Sequence, residues 1–117
     1  MGWGIQLQDK KGKVLQLKEK QTEGSNVCIG GTTDAKCSIT FNYSWFFTHY
    51  LHPDGLKWLN DKKAKDCVDR LEKAIKTLGT NQYKDYWADT PGNSGYMLSV
   101  LLSWARELPE GIFSLES

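Results

Sequence analysis

The chain has 117 residues, 15 basic and 14 acidic, with a formal charge of +1. That length fits one domain, and the balanced charge excludes a nucleic-acid-coating surface, which needs clustered, uncompensated Lys and Arg. Hydrophobic residues make up 39% and aromatics 12%, with five tryptophans, enough for a core with rings left over for a ligand or partner.

No apolar run approaches the ~20 residues needed to span a bilayer. The start, MGWGIQLQDKK, lacks the apolar h-region of a secretory signal, so a cytoplasmic location is expected. Cys28, Cys37 and Cys67 are odd in number and no CxxC spacing occurs. Neither a disulfide framework nor a thiolate zinc site is expected, and no cofactor is implied.

Ile5 and Leu7 alternate with Gln6 and Gln8, and Leu15 and Leu17 alternate after Asp9-Lys10-Lys11-Gly12. The pattern predicts a hairpin turning at Gly12. Val27 to Gly30 fits a short strand. Cys37, Ile39 and Phe41 alternate with Ser38, Thr40 and Asn42, which puts the first set on the core side of a strand.

An aromatic helix is predicted from about Trp45 to Leu51, with Asn42 or Ser44 as its cap. His52-Pro53-Asp54-Gly55 breaks it, and Leu56, Trp58 and Leu59 form a small apolar cluster. From about Lys62 to Leu78, Ala64, Cys67, Val68, Leu71, Ala74, Ile75 and Leu78 recur at helical spacing, and Gly79 is a natural stop.

Tyr83 to Trp87 reads as a polar-aromatic helical turn and 90–95 as a loop. Asn93 or Ser94 then caps a helix running to about Glu107. Apolar residues on nearly all its sides make that helix central. Ile112, Phe113 and Leu115 fit a last edge strand. Together these elements predict an α+β domain spanning 1–117. An antiparallel sheet of about four or five strands packs on one side against two main helices, with the short aromatic helix added. Exposed edge strands make a homodimer an expectation.

Gly30-Gly31-Thr32-Thr33 offers backbone amides and hydroxyls to an oxyanion, or simply a tight hairpin turn. It lacks the Gly-Lys-Ser/Thr of a P-loop, so nucleotide hydrolysis is not indicated. Thr40, Asn42, Tyr43 and Trp45 could read a base edge and stack on a ring, or cap a helix and fill the core. Tyr86, Trp87 and Asn93, around the 90–93 loop, form a second aromatic-polar group. Folded against Gly30–Thr33, the two would make a nucleotide-sized pocket. His49 and His52 have no carboxylate at a supporting helical spacing, so no metal site is assigned. Gly92-Asn93-Ser94-Gly95 lacks the strand that precedes a nucleophile elbow. The expected protein is therefore non-enzymatic.

The pieces Gly30-Gly31-Thr32-Thr33 and Ile39-Thr40-Phe41-Asn42-Tyr43, the run from Leu78-Gly79-Thr80 through Tyr86-Trp87 to Gly92-Asn93, and the trailing LLSWARELPEG carry a resemblance. The chain resembles a family of small uncharacterised proteins encoded by phages and bacteria. Two positions depart from that pattern, Ser38 in place of Asn and Phe41 in place of Tyr. The resemblance implies a phage counter-defence protein of the host cytoplasm. The expected ligand is a nucleotide immune signal, held in a sponge. The alternative is a protein-interaction module that inhibits a host defence enzyme through an exposed Trp or sheet edge.

Overall fold

The computed structural model describes residues 2–19, 32–85 and 88–116. β1 (Gly2–Gln8) is the central strand of an antiparallel sheet, flanked by β2 (Lys36–Thr40) and β3 (Ile112–Glu116). Its period-two pattern buries Trp3, Ile5 and Leu7 and leaves Gly2, Gly4, Gln6 and Gln8 on the other face. Trp3 lies opposite Ile39, Ile5 opposite Cys37 and Leu115, and Leu7 opposite Phe113. All the apolar side chains of the sheet except Ile112, which lies opposite Gln8, therefore share one face, which fixes its register.

The fold is α+β as expected, but the described residues hold three strands rather than four or five. The turn at Gly12 forms, with its amide donating to the Asp9 carbonyl at 3.1 Å and φ at 86°. The returning arm then splits its hydrogen bonds. The Leu15 amide donates to Leu7, while the Leu15 carbonyl accepts from Ala35 and the Leu17 amide donates to Thr33. Residues 14–17 thus bridge β1 and residues 33–35 without extending a ladder of their own. Val27–Gly30 lies outside the described residues.

The last strand, expected as an exposed edge, is covered. Asp61 donates to the Phe113 carbonyl, Phe113 donates to the Lys62 carbonyl, and the Leu115 amide donates to Asn60 Oδ1.

After β2 the chain winds through three tightening and loosening turns. A 3₁₀ turn (Phe41–Tyr43) leads into the short α1 (Ser44–Phe46) and a π turn (Phe47–Leu51). The cap is Thr40 rather than Asn42 or Ser44. Its backbone is extended and its side chain accepts from the Asn42 amide at 3.2 Å. Tyr43, Phe47 and Leu51 recur every fourth residue and are buried, anchoring the segment to the core. His52 is extended and ends it.

A 3₁₀ turn (Ala64–Asp66) precedes α2 (Val68–Leu78), which buries Leu71, Ala74 and Leu78 and stops at Gly79. It packs on α3 (Pro91–Glu107), whose Met97, Leu98, Leu101, Leu102, Trp104 and Ala105 are buried. Thr90, not Asn93 or Ser94, caps α3. Its side chain accepts from the Asn93 amide at 3.1 Å, and Pro91 follows at the first helical position, where its missing N–H costs nothing. No described helix is long and apolar enough to cross a membrane.

Candidate functional site

The Gly-Gly-Thr-Thr element is seen only from its threonines, because Gly30 and Gly31 lie outside the described residues. Thr33 donates its hydroxyl to Gln16 Oε1, and Thr32 Oγ1 accepts from the Asp34 amide at 3.1 Å. Gln16 in turn donates to Asp34 Oδ1 at 2.7 Å. Both hydroxyls are thus tied into the junction between residues 14–17 and β2.

Tyr86 and Trp87 also lie outside the described residues, but Asn93 does not. Its side chain is 2% exposed. Oδ1 accepts from the Tyr83 amide at 2.7 Å, and Nδ2 donates to the Asp85 and Ala88 carbonyls at 2.9 and 3.0 Å. These bonds fasten Tyr83, Asp85 and Ala88 onto the first turn of α3. Of the helical turn expected over Tyr83–Trp87, the described part, 83–85, is not helical, and the rest lies outside the described residues.

The flanking glycines have a steric reason. A Cβ at Gly92 would overlap the Asn81 carbonyl oxygen, and one at Gly95 would overlap the Gly79 carbonyl oxygen. Residues 92–95 are where the backbone after α2 lies directly against α3, a close approach that only glycine permits.

The remaining expected site residues separate into two groups. Tyr43 is 1% exposed and packs edge-on against Phe47 at 6.0 Å between centroids. Thr40 is engaged as a cap, and Asn42 is exposed on the turn it caps. Trp45 is different, at 55% exposed. His49, four residues on, stacks on it with centroids 4.0 Å apart and planes at 21°. The Tyr50 ring, 42% exposed, meets Trp45 edge-on at 6.1 Å. His49 Nδ1 lies 2.7 Å from the Trp45 carbonyl oxygen. A carbonyl only accepts, so Nδ1 carries the proton, and the lone pair of the neutral ring is on Nε2.

This surface has an unusual charge environment. From Cys37 to Pro53 the chain carries no Lys, Arg, Asp or Glu. Aromatic area, an imidazole nitrogen, an indole N–H and a phenol are what it presents.

A second feature lies between α2 and α3, an open groove of about 530 Å³ with Ile75 and Leu102 in its lining. Its walls carry both signs, including the Arg106–Glu72 pair at 3.2 Å, so they favour no particular charge. Among the described residues no three His, Cys, Asp or Glu side chains converge as a metal set.

No protein-family model, curated protein or solved structure matches the chain. The chemistry of these surfaces is therefore what bears on function.

The sequence identified Trp45 and missed its companions. The spacing of four between Trp45 and His49 is the spacing at which side chains meet on a helix. Tyr50 carried no such signal, because its place beside Trp45 depends on the π turn.

Proposed function

We propose that the protein is a non-catalytic recognition module that engages a protein partner through the surface of Trp45, His49 and Tyr50. The observation that supports this reading is the exposure of two large rings, 55% for Trp45 and 42% for Tyr50, on a segment otherwise anchored in the core. Trp and Tyr are the residues that most often carry binding energy at protein interfaces, and they do so best on a rigid support. The buried Tyr43, Phe47 and Leu51 supply that support from beneath. Combined with the resemblance at Gly30–Tyr43, the reading becomes a phage-type inhibitor of a host defence enzyme, acting in the host cytoplasm.

A second reading, capture of a nucleotide immune signal, draws on the parallel stack of His49 on Trp45, the geometry a base would adopt. The stretch from Cys37 to Pro53 carries no Lys or Arg of its own, which ranks this reading second.

The deciding experiment compares wild type with the double variant Trp45→Ala, Tyr50→Ala. A host protein retained in stoichiometric amount by the wild type and lost from the variant supports the first reading. Equal retention by both would overturn it. Calorimetry against linear and cyclic nucleotides tests the second, with heat from wild type and none from the variant as the supporting result.

A further inference from the structure

Trp58 lies on the 3₁₀ turn Gly55–Leu59, partly buried against the core. Three nitrogen-bearing side chains from separate parts of the chain surround its ring. The His52 imidazole lies nearly parallel to it, with centroids 5.3 Å apart and planes at 17°. Lys62 Nζ is 5.0 Å from the ring centroid, and the Arg70 guanidinium carbon is 5.3 Å from it. Lys62 and Arg70 stand on either side of the turn that leads into α2.

Two of these groups are oriented by hydrogen bonds to the backbone. Arg70 Nη1 donates to the Leu51 carbonyl at 2.9 Å, which fixes the guanidinium and leaves most of its donors unspent. His52 Nδ1 accepts from the Asp54 amide at 3.0 Å, so the neutral ring keeps its proton on Nε2, as a donor. The Asp54 carboxylate stands 3.6 Å from His52 Nδ1 and is largely in solvent.

Neither cation takes part in an ion pair among the described residues. The ion pairs among the described residues join Lys63 and Lys65 to Glu110, and Arg106 to Glu72. None of them takes up Lys62 or Arg70. Two like charges held beside one ring repel each other, and the quadrupole of a single indole offsets only part of that repulsion. An anion within reach of both would relieve it.

We propose that His52, Trp58, Lys62 and Arg70 form a binding site for a phosphate monoester. Two cations match a dianion better than the single charge of a carboxylate. Arg70 offers paired N–H donors in the geometry of phosphate oxygens, and Lys62 contributes a point charge. The Nε2–H of His52 adds a neutral donor. This site is separate from the Trp45 surface and does not depend on it.

The test follows the Trp58 indole N–H resonance, assigned with a Trp58→Phe variant, while the full chain is titrated with inorganic phosphate, with adenosine monophosphate and with adenosine. Saturable shifts with phosphate and with the monophosphate, at dissociation constants near or below about 1 mM, are expected, with none from adenosine. Tighter binding of the monophosphate would identify an organic ester as the natural source, and equal binding the bare ion. Lys62→Gln should weaken both by about tenfold or more, since a charge-assisted contact is lost. Lys65→Gln, whose ammonium is engaged by Glu110, should leave them unchanged. Arg70→Lys keeps the charge without the fork and should weaken binding less than Arg70→Gln. No saturable shift with either phosphate compound, or equal losses in Lys62→Gln and Lys65→Gln, would overturn the site. Lys62→Gln removes no hydrogen bond that its side chain makes within the described fold, so the outcome does not hinge on a misfolded variant.

Discussion

His49 and His52 hold opposite tautomers. Nδ1 of His49 donates to the Trp45 carbonyl, while Nδ1 of His52 accepts from the Asp54 amide. The two imidazoles stack on different indoles, His49 on Trp45 and His52 on Trp58. A spacing that suggested a shared ligand set in the sequence is used instead to serve two separate rings. Long-range proton–nitrogen spectra of the neutral imidazoles should show the Nδ1–H form for His49 and the Nε2–H form for His52. Identical tautomers would contradict one of the two hydrogen bonds.

Asn93→Ala should lower stability by about 2 kcal/mol or more, because the Tyr83 amide and the Asp85 and Ala88 carbonyls all lose their side-chain partner. Asn93→Asp should be worse, since it turns a carboxylate oxygen toward the two carbonyls that Nδ2 now satisfies. Urea unfolding of the three proteins checks the order. An Asp variant as stable as wild type would show that the amide is not the fastening.

Two glycines should respond in opposite directions. Gly95→Ala forces a methyl against the Gly79 carbonyl and should cost about 1–3 kcal/mol despite the better helix propensity of alanine. Gly4→Ala places its Cβ 4.0 Å from the Glu116 carbonyl oxygen, an ordinary contact. It should be neutral or stabilising by up to about 1 kcal/mol, through the lower entropy of the unfolded chain. Thermal melts of both variants are sufficient to distinguish them.

Trp45→Ala should leave the melting temperature nearly unchanged, because the ring is 55% exposed. It should cost about 2 kcal/mol or more of partner affinity if the ring is a binding anchor. A large loss of stability with no loss of binding would reverse the assignment.

Cys67 is fully buried, and burial pushes its thiol up to about 11 from 9.0. Its folded value lies above its unfolded one, so the stabilisation it contributes is complete below the unfolded value and fades as pH rises toward the folded value. At pH 8 a thiol reagent should modify Cys67 far more slowly in the native chain than in guanidine. Comparable rates would show that this part of the core opens readily.

On the acid side, hydrogen bonds from Lys65 and then Lys63 hold the Glu110 carboxyl below its usual value. A lowered folded value means a contribution present above the unfolded value and lost as pH falls through the folded one. All three side chains are well exposed, so the effect should be small. Glu110→Gln should flatten the corresponding acid-side slope of stability, and an unaltered slope would assign it elsewhere.

The regular elements were legible because each carries one period. β1, β2 and β3 alternate, α2 repeats its apolar face until Gly79, and α3 is apolar nearly all round. The caps were misplaced, although Thr90-Pro91 contains the signal, a capping side chain followed by proline at the first helical position. The second arm of the hairpin failed to become a strand because its hydrogen bonds are shared between two neighbours, a competition that alternation alone does not reveal. At the Trp45 surface, the rings of the aromatic run divide between core and solvent by the four-residue recurrence of Tyr43, Phe47 and Leu51. The gathering of Lys62 and Arg70 around Trp58 was not readable, since it depends on how the 3₁₀ turn and α2 pack against each other.

The backbone of residues 60–63 already occupies the outer flank of β3, through bonds exchanged with Phe113. Asp61 holds φ at 66° there, a bend that aspartate tolerates better than most side chains. A neighbouring copy reaching this flank finds the Phe113 amide and carbonyl already spent, so fibril growth by strand addition is blocked at that point. A β-branched replacement at Asp61 would strain this seal, and the first symptom would be a chain that precipitates during refolding.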